Sequence, residues 1–258
     1  MSPRVLASVV LGLLAGCRIT PDEHASDTPP RGHPHVTFLG GWAAGDVRHE
    51  TRRGSREGET DASAVRARLE GRGGESFLGF GLDAFGQTTD DRLFGSQGTE
   101  ARLFDAFGYL YFNAGGGDVL TMPIRLGGVY QAVDFDEPTG SAASDTRWSS
   151  IGGRLEIEPE IRLLYDDEFA WSVFGSAGCG LGAATVEVDG VSGRFDGRSY
   201  HVIAEVGTRF EIGHVVLGVS YLDRRIRFDE ADAQSGSSSL PGIDHDFAGI
   251  LVSGGVRF

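Results

Sequence analysis

Asp244, His245 and Asp246 stand together in the stretch PGIDHDF, residues 241–247. A histidine beside carboxylates is the set that takes a proton from water, so these three are the candidates for hydrolytic chemistry. A solvated loop end opened by Pro241-Gly242 is the favoured alternative, because no second set of acids and histidines stands out to complete a site. His201 near Ser199 is weaker still, since nothing in the spacing supplies an orienting acid for a serine nucleophile. The run GSAGCGLG, residues 175–182, is glycine-rich but lies inside an alternating stretch, not between a strand and a helix, which argues against a phosphate loop. No metal-ligand spacing occurs and the chain holds 2 cysteines, so no metal and no other cofactor is expected.

The elements that must position these residues are strands. In IGGRLEIEPEIRLLYDDE, residues 151–168, Arg154, Glu156, Glu158, Glu160 and Arg162 share one parity, and Ile151, Leu155, Ile157, Ile161 and Leu163 share the other. A helix would scatter these charges around every side and would break at Pro159, whereas a period of two separates the faces. Similar alternation recurs at Val36 to Trp42, Val65 to Leu69, Leu78 to Ala84, Phe104 to Phe112 and Leu120 to Tyr130. It continues at Phe169 to Leu181, Tyr200 to Ile212, Val215 to Tyr221 and Ala248 to Phe258. That makes about ten strands, as an up-and-down series gives, and periodicity alone fits a transmembrane barrel or a periplasmic β-sandwich or lipocalin-like barrel with its apolar parity inside. Long connections at 49–61, 89–100, 136–146, 187–197 and 229–243 alternate with short ones at 72–75, 114–118, 165–168 and 211–214. The 40 glycines suit tight turns and close strand packing. A formal net charge of −14 argues against a nucleic-acid partner.

The N-terminus carries a separate signal. Arg4 precedes an apolar run from Val5 to Leu14, too short for a spanning helix, and the run closes on Leu14-Ala15-Gly16-Cys17. This resembles a bacterial lipoprotein signal peptide over residues 1–16, with Cys17 as the lipidated first residue of the mature chain. Residues 17–34, polar and proline-bearing, read as a periplasmic tether. With Cys17 modified, Cys179 has no partner for an internal disulfide.

Residues 35–258 resemble the bacterial outer-membrane β-barrel proteins, the small OmpA-like or OmpX-like class. MPIRLGGVY, residues 122–130, and the terminal SGGVRF carry the likeness. Val256 and Phe258 match the assembly signal of that class, although Leu251 and Ser253 depart from it. The resemblance implies an all-β, up-and-down antiparallel transmembrane barrel in the cell outer membrane of a Gram-negative envelope, with long extracellular loops, short turns and a periplasmic N-terminus. It implies outer-membrane lipids and the barrel-assembly machinery as partners, and a monomer. Aromatics toward the turn ends, Phe112, Tyr165, Phe169, Trp171, Phe210 and Phe258, with Tyr130 and Tyr200 nearer the outside, resemble interfacial girdles.

In such a barrel the apolar parity faces lipid, because an ionised group there costs about 2–4 kcal/mol at the midplane for Arg. The charged parity then lines the lumen. Its members are Arg66, Arg68, Arg125, Arg154, Arg162, Arg209 and Arg257 against Glu70, Asp83, Asp105, Glu156, Glu158, Glu160 and Glu205, equal in the two signs. Such a network fills a narrow barrel, and the small residues of 170–182 leave room for the arginines. Three functions follow: an envelope structural or surface-interaction protein, which is favoured; a narrow small-solute channel; and a rim protease resembling the omptins, or another outer-membrane hydrolase. The last needs Asp244, His245 and Asp246 to converge.

Overall fold

Alternation of side chains is what a pleated strand imposes, and the computed structural model realises it throughout. The structure describes residues 35–52, 57–72, 78–89, 93, 99–114, 119–136, 145–166, 169–191, 193–234 and 238–258. The expected signal peptide, Cys17 and the tether lie outside them.

Among the described residues fourteen strands form. They are β1 (His35–Thr51), β2 (Glu57–Arg72), β3 (Leu78–Thr89), β4 (Glu100–Asn113), β5 (Leu120–Thr121), β6 (Pro123–Asp136) and β7 (Thr146–Ile157). The rest are β8 (Glu160–Tyr165), β9 (Phe169–Val188), β10 (Phe195–Ile212), β11 (Val215–Phe228), β12 (Ala231–Ala233), β13 (Ser239–Leu240) and β14 (Ile243–Arg257). Every pairing between them is antiparallel, and β9 pairing with β10 closes the sheet into a barrel. Two runs are interrupted: β5 continues β6, and β8 continues β7. The barrel therefore has ten staves, as the sequence predicts, while β12 and β13 form a small ribbon laid against β10. The first and last staves meet, with backbone bonds of 3.0 and 2.9 Å between Val36 and Phe258.

The break in the seventh and eighth strands falls at Glu158-Pro159, where proline has no N–H to contribute. Its carbonyl still accepts the Gly175 N–H at 3.0 Å, and a register shift follows between Arg162 and Leu164.

Parity divides the wall into two faces, and each face changes character along the barrel. At the end of the barrel that holds Val36 and Phe258 the outer face is apolar: Leu126 is 62% exposed, Ile151 71% and Leu181 67%. Single exposed leucines are ordinary, but a band of them around every stave is not. On β1 the band covers Val36 to Ala44 and on β14 Ala248 to Val256, close to the nine to eleven residues (about 25 Å of apolar height) that span a bilayer as a tilted strand. Beyond it the outer face turns charged, with Asp46, Arg48 and Glu50 on β1, Asp223, Arg225 and Arg227 on β11, and Asp244 and Asp246 on β14. The inner face does the reverse. It is charged behind the apolar band and apolar behind the charged rim, where Val47, Phe85, Leu103, Val133, Phe135, Trp148, Phe228 and Phe247 join one buried cluster.

This inversion corrects the predicted connections. Segments 49–61 and 187–197 were expected as loops, but β1 and β2 leave only 52–56 between them, and β9 and β10 leave 189–194. Segment 229–243 contains β12 and β13. Once the outer face is charged, the pattern that marked the strand has lost its apolar outward parity, although the pairing continues.

Candidate functional site

The lumen behind the apolar band is built from six arginines, four of them buried and Arg66 and Arg209 partly so, and the carboxylates that hold them. Arg66 spans from Asp83, at 2.9 Å through its Nε, to Glu205 at 2.7 Å. Arg68 reaches Asp83 at 3.2 Å and Glu158 at 3.0 Å. Arg125 donates to Glu156 at 3.1 Å, to Glu158 at 2.9 Å and to Glu70 at 3.0 Å. Arg209 bonds Glu160 at 2.6 Å and lies 3.4 Å from Glu158, which therefore collects three guanidiniums. Each of these bonds is charge-assisted; Arg66–Asp83, Arg68–Asp83 and Arg125–Glu156 join neighbouring staves, while Arg66–Glu205 and Arg68–Glu158 join staves that are not neighbours and so tie the barrel across its bore.

A second group lies beside it. Arg154 pairs with Asp105, and its Nε lies 3.1 Å from His201 Nε2. Gln131 donates to the same aspartate at 2.8 Å, and Arg224 stands 3.4 Å from it. Aromatic faces support the cations: Arg154 sits 4.8 Å from the Phe107 centroid, Arg209 4.7 Å from Phe174 and Arg224 4.1 Å from Phe85. Glycine makes the space. A Cβ at Gly180 would collide with the His201 ring and the Gly153 carbonyl, so the row from Arg154 across Gly180 to His201 requires glycine at its centre.

Of the predicted lumen residues, Arg66, Arg68, Glu70, Asp83, Asp105, Arg125, Arg154, Glu156, Glu158, Glu160, Glu205 and Arg209 meet in these two groups. Arg257 stands apart, at the termini end, where it forks onto Glu211 at 2.6 and 2.9 Å. Arg162 makes no ion pair among the described residues. Sequence reasoning missed Arg224, because the strand was ended at Tyr221, and Glu211, because it was read as part of a turn. Both lie on the inward parity of their strands, which was the available signal. They add one charge of each sign. It also missed Tyr109, whose hydroxyl donates to Glu70 at 2.6 Å. Val256 faces outward on β14, and Phe258 ends the chain 75% exposed.

Among the described residues the lumen is crowded with side chains. Between Arg66, Arg68, Glu205, Arg209 and Ser220 a cavity of about 30 Å³ remains, room for one water. Past the charged groups the buried apolar cluster draws side chains from all ten staves.

The rim candidates do not converge. Adjacent residues of β14 face opposite sides, so His245 is buried inside at 0% exposure while Asp244 and Asp246 point outward. A groove of about 630 Å³ does run over the outer wall past Tyr200, Val202, Arg225, Arg227, Asp244 and Asp246. Its charges answer one another. Arg52 bonds Asp229 at 2.9 Å and Asp244 at 3.2 Å, and Arg225 forks onto Asp223 at 3.0 and 2.8 Å. His201 and Ser199 are both inside the barrel, with Ser199 buried at 1% exposure. Among the described residues no group of three or more histidines, cysteines and carboxylates is placed to hold a metal ion.

No family model matches the sequence, and no curated protein matches it. Solved structures do. The outer membrane protease OmpT from Escherichia coli superposes with a TM-score of 0.52 at 11% identity, over 92% of this chain and 99% of that one. The translocator domain of the autotransporter NalP from Neisseria meningitidis gives 0.44 at 14% identity, over 99% and 94%. Ail, the attachment invasion locus protein of Yersinia pestis, gives 0.30 at 12% identity, over 88% and 99%. The superposition on OmpT shows a likeness of fold alone, that of the closed antiparallel barrel.

Proposed function

We propose that this chain is an integral outer-membrane barrel with a sealed, salt-bridged lumen, serving as an envelope structural or surface-interaction protein and not as a conduit. The apolar band supports membrane insertion, because nothing else among the described residues covers that much exposed hydrocarbon. By this reading the termini lie on the periplasmic side and the charged rim stands outside the cell. The barrel works as a monomer, its partners being the surrounding lipids and the assembly machinery that reads its C-terminal strand.

The observation that carries the reading is the double closure of the bore, by cross-linked charge behind the band and by packed apolar side chains beyond it. A solute path would have to part both. One structural neighbour is named as a protease, but the outward Asp244 and Asp246 and the inward His245 share no face on which water could be activated. Planar-bilayer recording of the purified barrel at neutral pH is the direct test. Silent bilayers after verified insertion are expected. Steady, reproducible open steps would overturn a sealed lumen and favour a narrow channel.

A further inference from the structure

Inside the rim the apolar cluster forms a plug. Ligand-sized room lies instead on the outer face of the wall, in the groove of about 630 Å³ over β10, β11 and β14, a volume that takes a small organic group. Register sets its lining in two outward rows. Tyr200, Arg227 and Asp244 lie side by side in one, and Val202, Arg225 and Asp246 in the next one toward the band.

Most of these charges are spent on one another, but two groups are left over. Asp246 has an arginine on either side in register, yet Arg225 forks onto Asp223 and Arg48 turns to Glu57 at 2.6 Å. The half-buried carboxylate makes no hydrogen bond or ion pair among the described residues. Arg227, 56% exposed, comes no nearer to a carboxylate than 3.7 Å at Asp244 and 4.0 Å at Asp229, both through Nε, so its terminal nitrogens are unengaged there. Across an antiparallel pair, diagonal neighbours such as Arg227 and Asp246 stand about 7–8 Å apart. A ligand with an anionic and a cationic centre a few bonds apart spans that interval, whereas a singly charged one satisfies only one end. A guanidinium with free N–H groups takes a phosphate, and a carboxylate without a donor calls for N–H groups, which a primary ammonium has and a quaternary one lacks.

The groove also opens on the band. From it the outward residues of β10 run Val202, Ala204, Val206 into the apolar wall, and Tyr200, 40% exposed, stands at the boundary that aromatic rings favour. We propose that the groove binds the head group of a membrane lipid in which a phosphate and a primary ammonium are joined by a short linker, the phosphate on Arg227, the ammonium on Asp246 and the acyl chains against Val202, Ala204 and Val206. The site rests on the reading that the band lies in the bilayer, and it gives the surface-interaction role a lipid partner. Acid weakens it. Burial pushes the Asp246 carboxyl up to about 6, with Arg225 on β11 and Arg48 on β1 pulling the other way and Asp223 and Asp244 adding to the rise. The ammonium pairs with the ionised form, so binding is at full strength well above about pH 6 and is lost as pH falls through it.

Native mass spectrometry of the full chain in detergent micelles, supplied in turn with dioleoyl phosphatidylethanolamine, phosphatidylcholine and phosphatidylglycerol, counts the lipid that stays bound. At neutral pH the ethanolamine lipid should be retained at least about fivefold over either of the others, near the upper end for an exposed ion pair, and the preference should fade on acidification. Asp246→Asn and Arg227→Gln should each remove it, while Arg102→Gln, an exposed cation on β4 that pairs with Asp136 at 3.0 Å, should keep it. Heat-modifiable gel mobility confirms that each variant is folded. Equal retention of the three lipids, a preference that survives either groove substitution, or one that ignores pH would overturn the site. So would displacement of the lipid by free phosphoethanolamine, which would give the groove to a soluble ligand. Trp42, 54% exposed in the band, checks the membrane reading separately. With Trp148→Phe and Trp171→Phe it is the only tryptophan of the chain's 3, and in vesicles it should be quenched by brominated acyl chains. Quenching without the lipid preference sinks the groove alone, whereas no quenching sinks the membrane reading and the site with it.

Discussion

At the scale of single residues the lumen is a set of unequal ties. Parity alone ranks Ile157→Arg as more damaging than Glu158→Gln, because the first sets an ion against lipid and the second removes one charge of many. The geometry brings the two level. Glu158 accepts from Arg68 at 3.0 Å and from Arg125 at 2.9 Å, with Arg209 at 3.4 Å, so neutralising it leaves three buried cations short of one anion. Breaking a buried pair from one side costs roughly 3–5 kcal/mol, against about 2–4 kcal/mol for an arginine facing lipid at mid-depth. Glu158→Gln should therefore lower the urea midpoint of the refolded barrel at least as far as Ile157→Arg, and Ile157→Leu should leave it unmoved. An unchanged midpoint for Glu158→Gln would show that the network is slack. Arg162, on the same parity but without an ion partner among the described residues, serves as the control, and Arg162→Gln should have little effect.

At the scale of elements the sequence was legible wherever one face of a strand met hydrocarbon. All ten staves were found from that signal, because period-two alternation is a local fact. What escaped lay where the signal reverses. The rim ends of β1, β2, β9 and β10 carry charge outside and apolar groups inside, so they looked like loops, and Arg224 was lost with the last turn of alternation on β11. Who bonds whom was not legible either, since each hairpin allows several registers, such as the β2–β3 register that sets Arg68 opposite Asp83, and only the closed sheet brings Arg66 within reach of Glu205. Strand β9 shows how register becomes energy. Glycine inside a strand ordinarily weakens it, and alanine is the gentler residue there. At Gly180 an added Cβ collides with the His201 ring and a backbone carbonyl, whereas at Gly178 the nearest atom is the Leu155 carbonyl at 3.1 Å. Gly180→Ala should cost about 1–3 kcal/mol by overpacking, with Gly178→Ala clearly milder. Equal midpoints for the two variants would mean that the Arg154–Gly180–His201 row has room to spare.

Across the whole molecule one boundary organises everything: on its termini side the barrel is apolar outside and charged within, and on its rim side it is charged outside and apolar within. A soluble barrel would keep one polarity from end to end, and so would a short barrel confined to the bilayer. The consequence is that one substitution type has opposite outcomes according to face and half. Leu126 on β6 is outward in the band at 62% exposure, Val133 on the same strand is inward in the plug at 0%, and Ser149 on β7 is outward beyond the band. An aspartate at Leu126 would meet lipid, and one at Val133 would sit unpaired among Phe135, Trp148 and their neighbours, each a loss of several kcal/mol. An aspartate at Ser149 would meet water and change stability by no more than about 0.5 kcal/mol. Heat-modifiable gel mobility reads the folded barrel, and Leu126→Asp and Val133→Asp should both reduce the folded fraction while Ser149→Asp matches the parent. Vesicle flotation then separates the two failures. Leu126→Asp should lose membrane association, and Val133→Asp should still float, because its defect lies beyond the band and leaves the lipid-facing wall intact. If Val133→Asp folded like the parent, the plug would not be a packed core and the bore would be closed by its charges alone. If Leu126→Asp floated and folded normally, the apolar band would not be facing lipid.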